Sequence, residues 1–117
     1  MATLSTHVLD TMNGCPAAGM TVALYRVDGA GATLLHHTTL NTDGRSPDLA
    51  QAASALAIGH YRLVFQVAAY FRARGVALPE PPFLDKVQVD FGIADESSHH
   101  HVPLLATPWA YSTYRGS

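Results

Sequence analysis

The sequence is short of cysteine, of charge and of long apolar runs. Cys15 is the only cysteine in 117 residues, so no disulfide can close within the chain and no cysteine-based zinc site can form in one copy. Charged residues make up 14%, and the formal net charge is −2 with histidines neutral. That balance gives nucleic acid and anionic membranes no electrostatic reason to bind. The longest apolar stretches fall far short of a membrane span. The opening "MATLSTHVLD" has no basic stretch ahead of an apolar run, so no secretory signal is expected. These absences point to a soluble protein of a reducing compartment, most simply the cytoplasm. The sequence also offers no phosphate-binding glycine loop, no nucleophile elbow and no obvious carboxylate pair for glycoside hydrolysis.

What the sequence does contain is a core and a rhythm. Hydrophobic residues reach 48%, enough to build one packed domain over residues 1–117. The rhythm is period two, the mark of half-buried strands. In "GMTVALYRVD", Val22 and Leu24 share one face, while Ala23, Tyr25 and Val27 share the other. In "GHYRLVFQV", Tyr61, Leu63, Phe65 and Val67 alternate with Arg62, Val64 and Gln66. "KVQVDFGI" sets Val87, Val89, Phe91 and Ile93 against Gln88, Asp90 and Gly92. "LSTHVLD", "ATLLHHTTL", "HHHVPLLA" and "PWAYSTYR" read as further strands. Turn chemistry separates these runs, in "DTMNGCPAAG", "VDGAGA", "NTDGRSPD" and "LPEPPF". An all-β sandwich follows. "AAYFRARG" breaks the rhythm and predicts a short helix ending at Gly75. "DLAQAASALA" is open between helix, loop and edge strand.

Seven histidines are many for this length and would let the net charge swing near neutral pH. In "HHHV", His99 and His101 share a strand face and His100 takes the other. Such a pair can share proton transfer, hold a metal, or simply face solvent. His7, after two hydroxyl residues in "LSTHVLD", is a second candidate; on its own it reads as an ordinary histidine. Arg45 follows an Asp-Gly turn, where its planar fork could meet an oxyanion or a flat ligand; otherwise it is a solvated loop residue. The closing "YSTYRGS" is unusually aromatic for a chain end, with Tyr111, Tyr114 and Arg115, and Ser117 last. Alternation there argues for a strand rather than fraying. His36, His37 and His60 read as structural. Cys15, in a Gly-Cys-Pro turn, has no basic neighbour in sequence to activate it.

Taken together, "LSTHVLDTMNGCPAAGM", "TDGR", "HHHVPLL" and the terminal "YRGS" resemble the 5-hydroxyisourate hydrolase family, the transthyretin-like enzymes of urate breakdown. "GHYRLVFQVAAYF" is similar to the strand-then-helix segment this family shares with transthyretin. The likeness spans essentially the whole chain. His100 departs from the family's usual aromatic between two histidines, and "ATPWAYS" departs from a turn richer in glycine.

The resemblance implies a transthyretin-like two-sheet β-sandwich of seven to eight short strands with one short helix. It implies a homotetramer, a dimer of dimers, with active sites in a central channel. The implied reaction opens the six-membered ring of 5-hydroxyisourate at a cyclic amide bond, with no cofactor and no metal. By position, His7, Arg45, His101 and Ser117 would carry catalysis. His7, Arg45, Tyr114 and Arg115 would contact substrate. His101 would serve as acid–base group, assisted by His7 or Ser117, with Arg45 stabilising the oxyanion. Two other readings stand beside it: a transthyretin-like carrier of small ligands, and a metal-binding protein built on His99 and His101.

Overall fold

The computed structural model describes residues 1–116; Ser117, assigned above to the catalytic set, lies outside them. Eight strands and two short helices follow in the order β1 (Thr3–Asp10), β2 (Cys15–Pro16), β3 (Thr21–Asp28), β4 (Gly31–Thr39), α1 (Pro47–Ala52), β5 (Gly59–Gln66), α2 (Val67–Ala73), β6 (Lys86–Ile93), β7 (His99–Ala106) and β8 (Tyr111–Thr113). The strands form two four-stranded sheets, β2-β1-β7-β8 and β4-β3-β5-β6. Their inner faces meet in the core, as the period-two pattern requires. Leu4, Val8 and Leu104 come from the first sheet; Val22, Leu24, Tyr61, Leu63 and Phe65 come from the second.

The expected alternation holds with two differences. Val67 continues the apolar face of β5 in sequence but starts α2, where it is fully buried. The second difference is α1, which makes two helices where the resemblance implies one. The Ser46 hydroxyl accepts a hydrogen bond from the Leu49 amide at 3.0 Å, and Pro47 opens the first turn. Cap and proline together select helix for a segment whose alanines alone left it open. At the end of α2, Gly75 has φ +81° and its amide donates to the Arg72 carbonyl at 2.9 Å. That left-handed stop is the one expected at Gly75. Tyr70 pins α2 to β1: its hydroxyl donates to the buried Asp10 carboxylate at 2.8 Å.

The pairing of β1 with β7 decides where chemistry can sit. These strands are parallel, with Thr3 opposite His99, Ser5 opposite His101 and His7 opposite Pro103. Leu4, Thr6 and Val8 turn inward, so Thr3, Ser5, His7, His99 and His101 line up on the outer face. On the far side of β7 the antiparallel ladder to β8 keeps one register from Leu104↔Thr113 to His101↔Gly116. Pro103 lies between those pairs and has no amide hydrogen for the ladder. The ladder therefore lapses at Tyr114 and Arg115. It resumes where the Gly116 amide donates to the His101 carbonyl at 2.6 Å.

Candidate active site

Arg45 reaches the outer face through a turn that only glycine fits. Gly44 has φ +72°, and a methyl group there would lie 2.4 Å from the Val8 carbonyl oxygen. With hydrogen in its place, the Asp43–Gly44–Arg45 turn rests directly on β1. The Val8 amide donates to the Gly44 carbonyl at 2.9 Å, and Arg45 pairs antiparallel with His7. Asn41 holds the turn from behind: its side-chain oxygen accepts from the amides of Asp43 at 2.9 Å and Arg45 at 3.1 Å. Among the described residues no carboxylate forms an ion pair with Arg45.

A second anchor holds the far end of this loop, and sequence reading missed it. Asp48 accepts hydrogen bonds from Ser46 at 2.8 Å, from Thr38 at 2.9 Å and from His36 at 2.8 Å. The bonds from His36 first, then Ser46 and Thr38, pull the Asp48 carboxyl down to about 2. His36 is thus structural, as expected, but its work is to tie β4 to the segment that follows Arg45.

His101 is half-buried on β7, and its Nδ1 lies 2.8 Å from the Ser5 hydroxyl. Burial pushes its pKa below the ordinary histidine value, and the Arg45 charge pushes the same way. The ring is therefore held neutral, with a lone pair to take a proton. On its other edge lies the chain's tail. A methyl group at Gly116 would sit 2.7 Å from His101 Cδ2. The glycine of the terminal motif is there because the ring leaves no room for a side chain.

His7, Arg45 and His101 thus come together on the outer face, and Ser5 and His99 join them. Ser5 was legible in principle, since period two sets it on the same face as His7. Arg115 goes elsewhere. It lines a cavity of about 440 Å³ between the sheets, together with Tyr114, His100, Asp95, Ser98 and Phe91. Its guanidinium donates to the His99 carbonyl, and its charge, after burial, helps to depress the His100 pKa. Tyr114 is also largely exposed to solvent. Within one chain, the Arg115 side chain is directed away from His7 and His101. Among the described residues no three His, Cys, Asp or Glu side chains gather in a metal-holding cluster. No described helix is long and apolar enough to cross a membrane.

The sequence model of the HIUase/Transthyretin family matches residues 4–116. The chain belongs to this family. Within the family it is 50% identical to the 5-hydroxyisourate hydrolase of Pseudomonas aeruginosa, over all of this chain and 93% of that protein. The solved structure of Klebsiella pneumoniae 5-hydroxyisourate hydrolase superposes with a TM-score of 0.83 at 38% identity, covering 100% of both chains. Sea bream transthyretin, solved in complex with thyroxine, shares the fold, with a TM-score of 0.85 at 24% identity over 97% of this chain and 94% of its own.

Proposed function

We propose that this protein hydrolyses 5-hydroxyisourate in urate breakdown. The six-membered ring opens at a cyclic amide bond to give 2-oxo-4-hydroxy-4-carboxy-5-ureidoimidazoline. The reading rests on one observation above the rest: a histidine held neutral stands on the same open face as an arginine that has no described ion-pair partner.

Water is a poor nucleophile and needs a base as it attacks a carbonyl. His101 takes that proton, and the water oxygen bonds to the ring carbonyl carbon. The oxyanion that forms lies against Arg45, whose fixed charge stabilises it without a proton of its own. The carbon–nitrogen bond then breaks, and the leaving nitrogen takes its proton from His101. Positioned acid–base help of this kind typically contributes about 10²–10⁴-fold. His7, beside Arg45, assists as a second acid–base and substrate-contacting group. Ser117 keeps the catalytic role inherited from the terminal motif. Tyr114 and Arg115 contact substrate, Arg115 only if another copy of the chain brings it to the site.

Residues 1–117 act as one hydrolase domain, in the cytoplasm, within a homotetramer built as a dimer of dimers. Support for assembly comes from the site itself, which lies on a sheet face that the described residues leave uncovered. Light scattering should then return a mass of four chains.

The test is spectroscopic. Urate oxidase generates 5-hydroxyisourate fresh from urate, and its ultraviolet absorbance is followed with and without the protein. Accelerated decay supports the hydrolase. Decay at the spontaneous rate sinks it and favours a carrier of small ligands.

A further inference from the structure

One hydroxyl on the outer face bridges two imidazoles. Ser5 Oγ lies 2.8 Å from His101 Nδ1 and 3.0 Å from His99 Nε2. The other nitrogen of His99, Nδ1, is within hydrogen-bond reach of the Thr3 hydroxyl. These four residues are consecutive on the outer face of the parallel β1–β7 pair, which sets Ser5 level with His101 and Thr3 level with His99. His101 is half-buried while His99 is exposed.

We propose that Ser5 and His99 are positioning residues that fix the tautomer of His101 and carry its second proton away to solvent-facing His99. The proposal rests on the hydrolase reading for its catalytic part. A serine hydroxyl has one proton to donate and lone pairs to accept with. Two polarities fill the row, and the one that leaves His101 a free basic nitrogen, as the hydrolase reading requires, has His101 Nδ1–H donate to Ser5, Ser5 O–H donate to His99 Nε2, and His99 Nδ1–H donate to Thr3. Which nitrogen of an imidazole carries the proton is set by what the other nitrogen bonds. With Nδ1 protonated against Ser5, His101 presents Nε2 as its basic nitrogen.

The row also gives the proton somewhere to go. When Nε2 takes a proton from the attacking water, the Nδ1 proton moves to Ser5 and the Ser5 proton moves to His99 Nε2. His101 ends neutral and His99 ends as the cation. The positive charge leaves the half-buried ring that already faces Arg45 and His7, and settles at the exposed end. Delivery of the Nε2 proton to the leaving nitrogen reverses each transfer and restores the starting tautomers. No atom is gained or lost along the row.

Three variants and one spectrum test this. In the unsubstituted protein, ¹⁵N NMR of the His101 ring should show the Nδ1-protonated tautomer, and Ser5→Ala should mix the two forms. Ser5→Ala should lower kcat by about 10- to 10²-fold, with KM within about twofold. Ser5→Thr keeps the hydroxyl and should restore kcat to within about threefold. His99→Gln, at an exposed position, should lower kcat like Ser5→Ala, and the double variant should lose no more than either alone. An Nε2-protonated His101 in the unsubstituted protein would overturn the proposal. So would Ser5→Ala at wild-type kcat, or losses that multiply in the double variant. The spectrum needs no substrate. Failure of the hydrolase reading would appear as an inactive unsubstituted protein, while failure of the relay would appear in the tautomer or the variants.

Discussion

Gly116 and His101 face each other across the end of the β7 ladder, and the glycine hydrogen lies where any side chain would strike the imidazole. The main-chain bond between them, 2.6 Å from Gly116 N to His101 O, holds the tail against the ring. One residue thus serves two purposes: it ends the ladder and seats the ring proposed as base.

Gly116→Ala should therefore damage activity while sparing the fold. The added methyl must push either the tail or the ring, and displacements near 1 Å at a reacting group cost on the order of 10²-fold. Far-ultraviolet circular dichroism should stay unchanged while kcat falls. Wild-type kcat would show that the ring tolerates the shift and that the close approach has no catalytic meaning.

His101→Asn and Arg45→Ala should each abolish most ring opening and leave assembly intact. The asparagine keeps a polar group near Ser5 but cannot act as a base near neutral pH. The alanine leaves the oxyanion without its cation, a loss on the order of 10²–10³-fold by analogy with other oxyanion donors. Light scattering and the ultraviolet assay, run on the same samples, separate the two effects. Near-normal activity in either variant removes that residue from the mechanism.

The pH dependence has a definite sign. In the proposed mechanism the active form of His101 is neutral, and burial with the Arg45 charge holds its pKa below the ordinary value. The basic ring should thus survive below about pH 6.5, the usual histidine midpoint, and activity should fall only as pH drops through the depressed value. Between those two values the unfolded chain binds more protons, so stability declines as the solution is acidified. Arg45→Gln removes the opposing charge and should raise the His101 midpoint, measured by NMR titration. A midpoint that stays put or falls contradicts the assigned electrostatics.

Asp48 should leave its mark in acid. Its carboxyl is held at about 2 in the folded chain, below the unfolded value, so the stabilisation is complete above about pH 4 and disappears as pH falls toward about 2. The side chain is largely exposed, and solvent screening keeps the effect modest. Asp48→Asn should flatten urea-unfolding midpoints across that interval and leave Ser46 capping Leu49. A slope identical to the unsubstituted protein would mean that other carboxylates set the acid limb.

Much of the fold was legible because one face of every long strand packs a core. Val22, Leu24, Leu63 and Phe65 advertise that face by alternation alone. His7 and His101 were legible as a pair only through the family motif, since their closeness depends on a parallel pairing that no local pattern encodes. The helix α1 was ambiguous because alanine suits several states, and the deciding groups, Ser46 and Pro47, lie just ahead of the alanine-rich stretch. Arg115 keeps the face of Thr113, as alternation requires, but that this face turns inward depends on the pairing with β7, which no local pattern encodes. The His36–Thr38–Asp48 anchor joins residues from a strand and a helix, and pairing across a loop has no sequence period.

The parallel register of β1 with β7 has a consequence for biosynthesis. Ser5 leaves the ribosome 96 residues ahead of His101. Contacts so distant along the chain form late and slowly. No truncated nascent chain can possess the site, because its two halves meet only when the seventh strand docks beside the first. Assembly of the candidate site is a readout of finished folding.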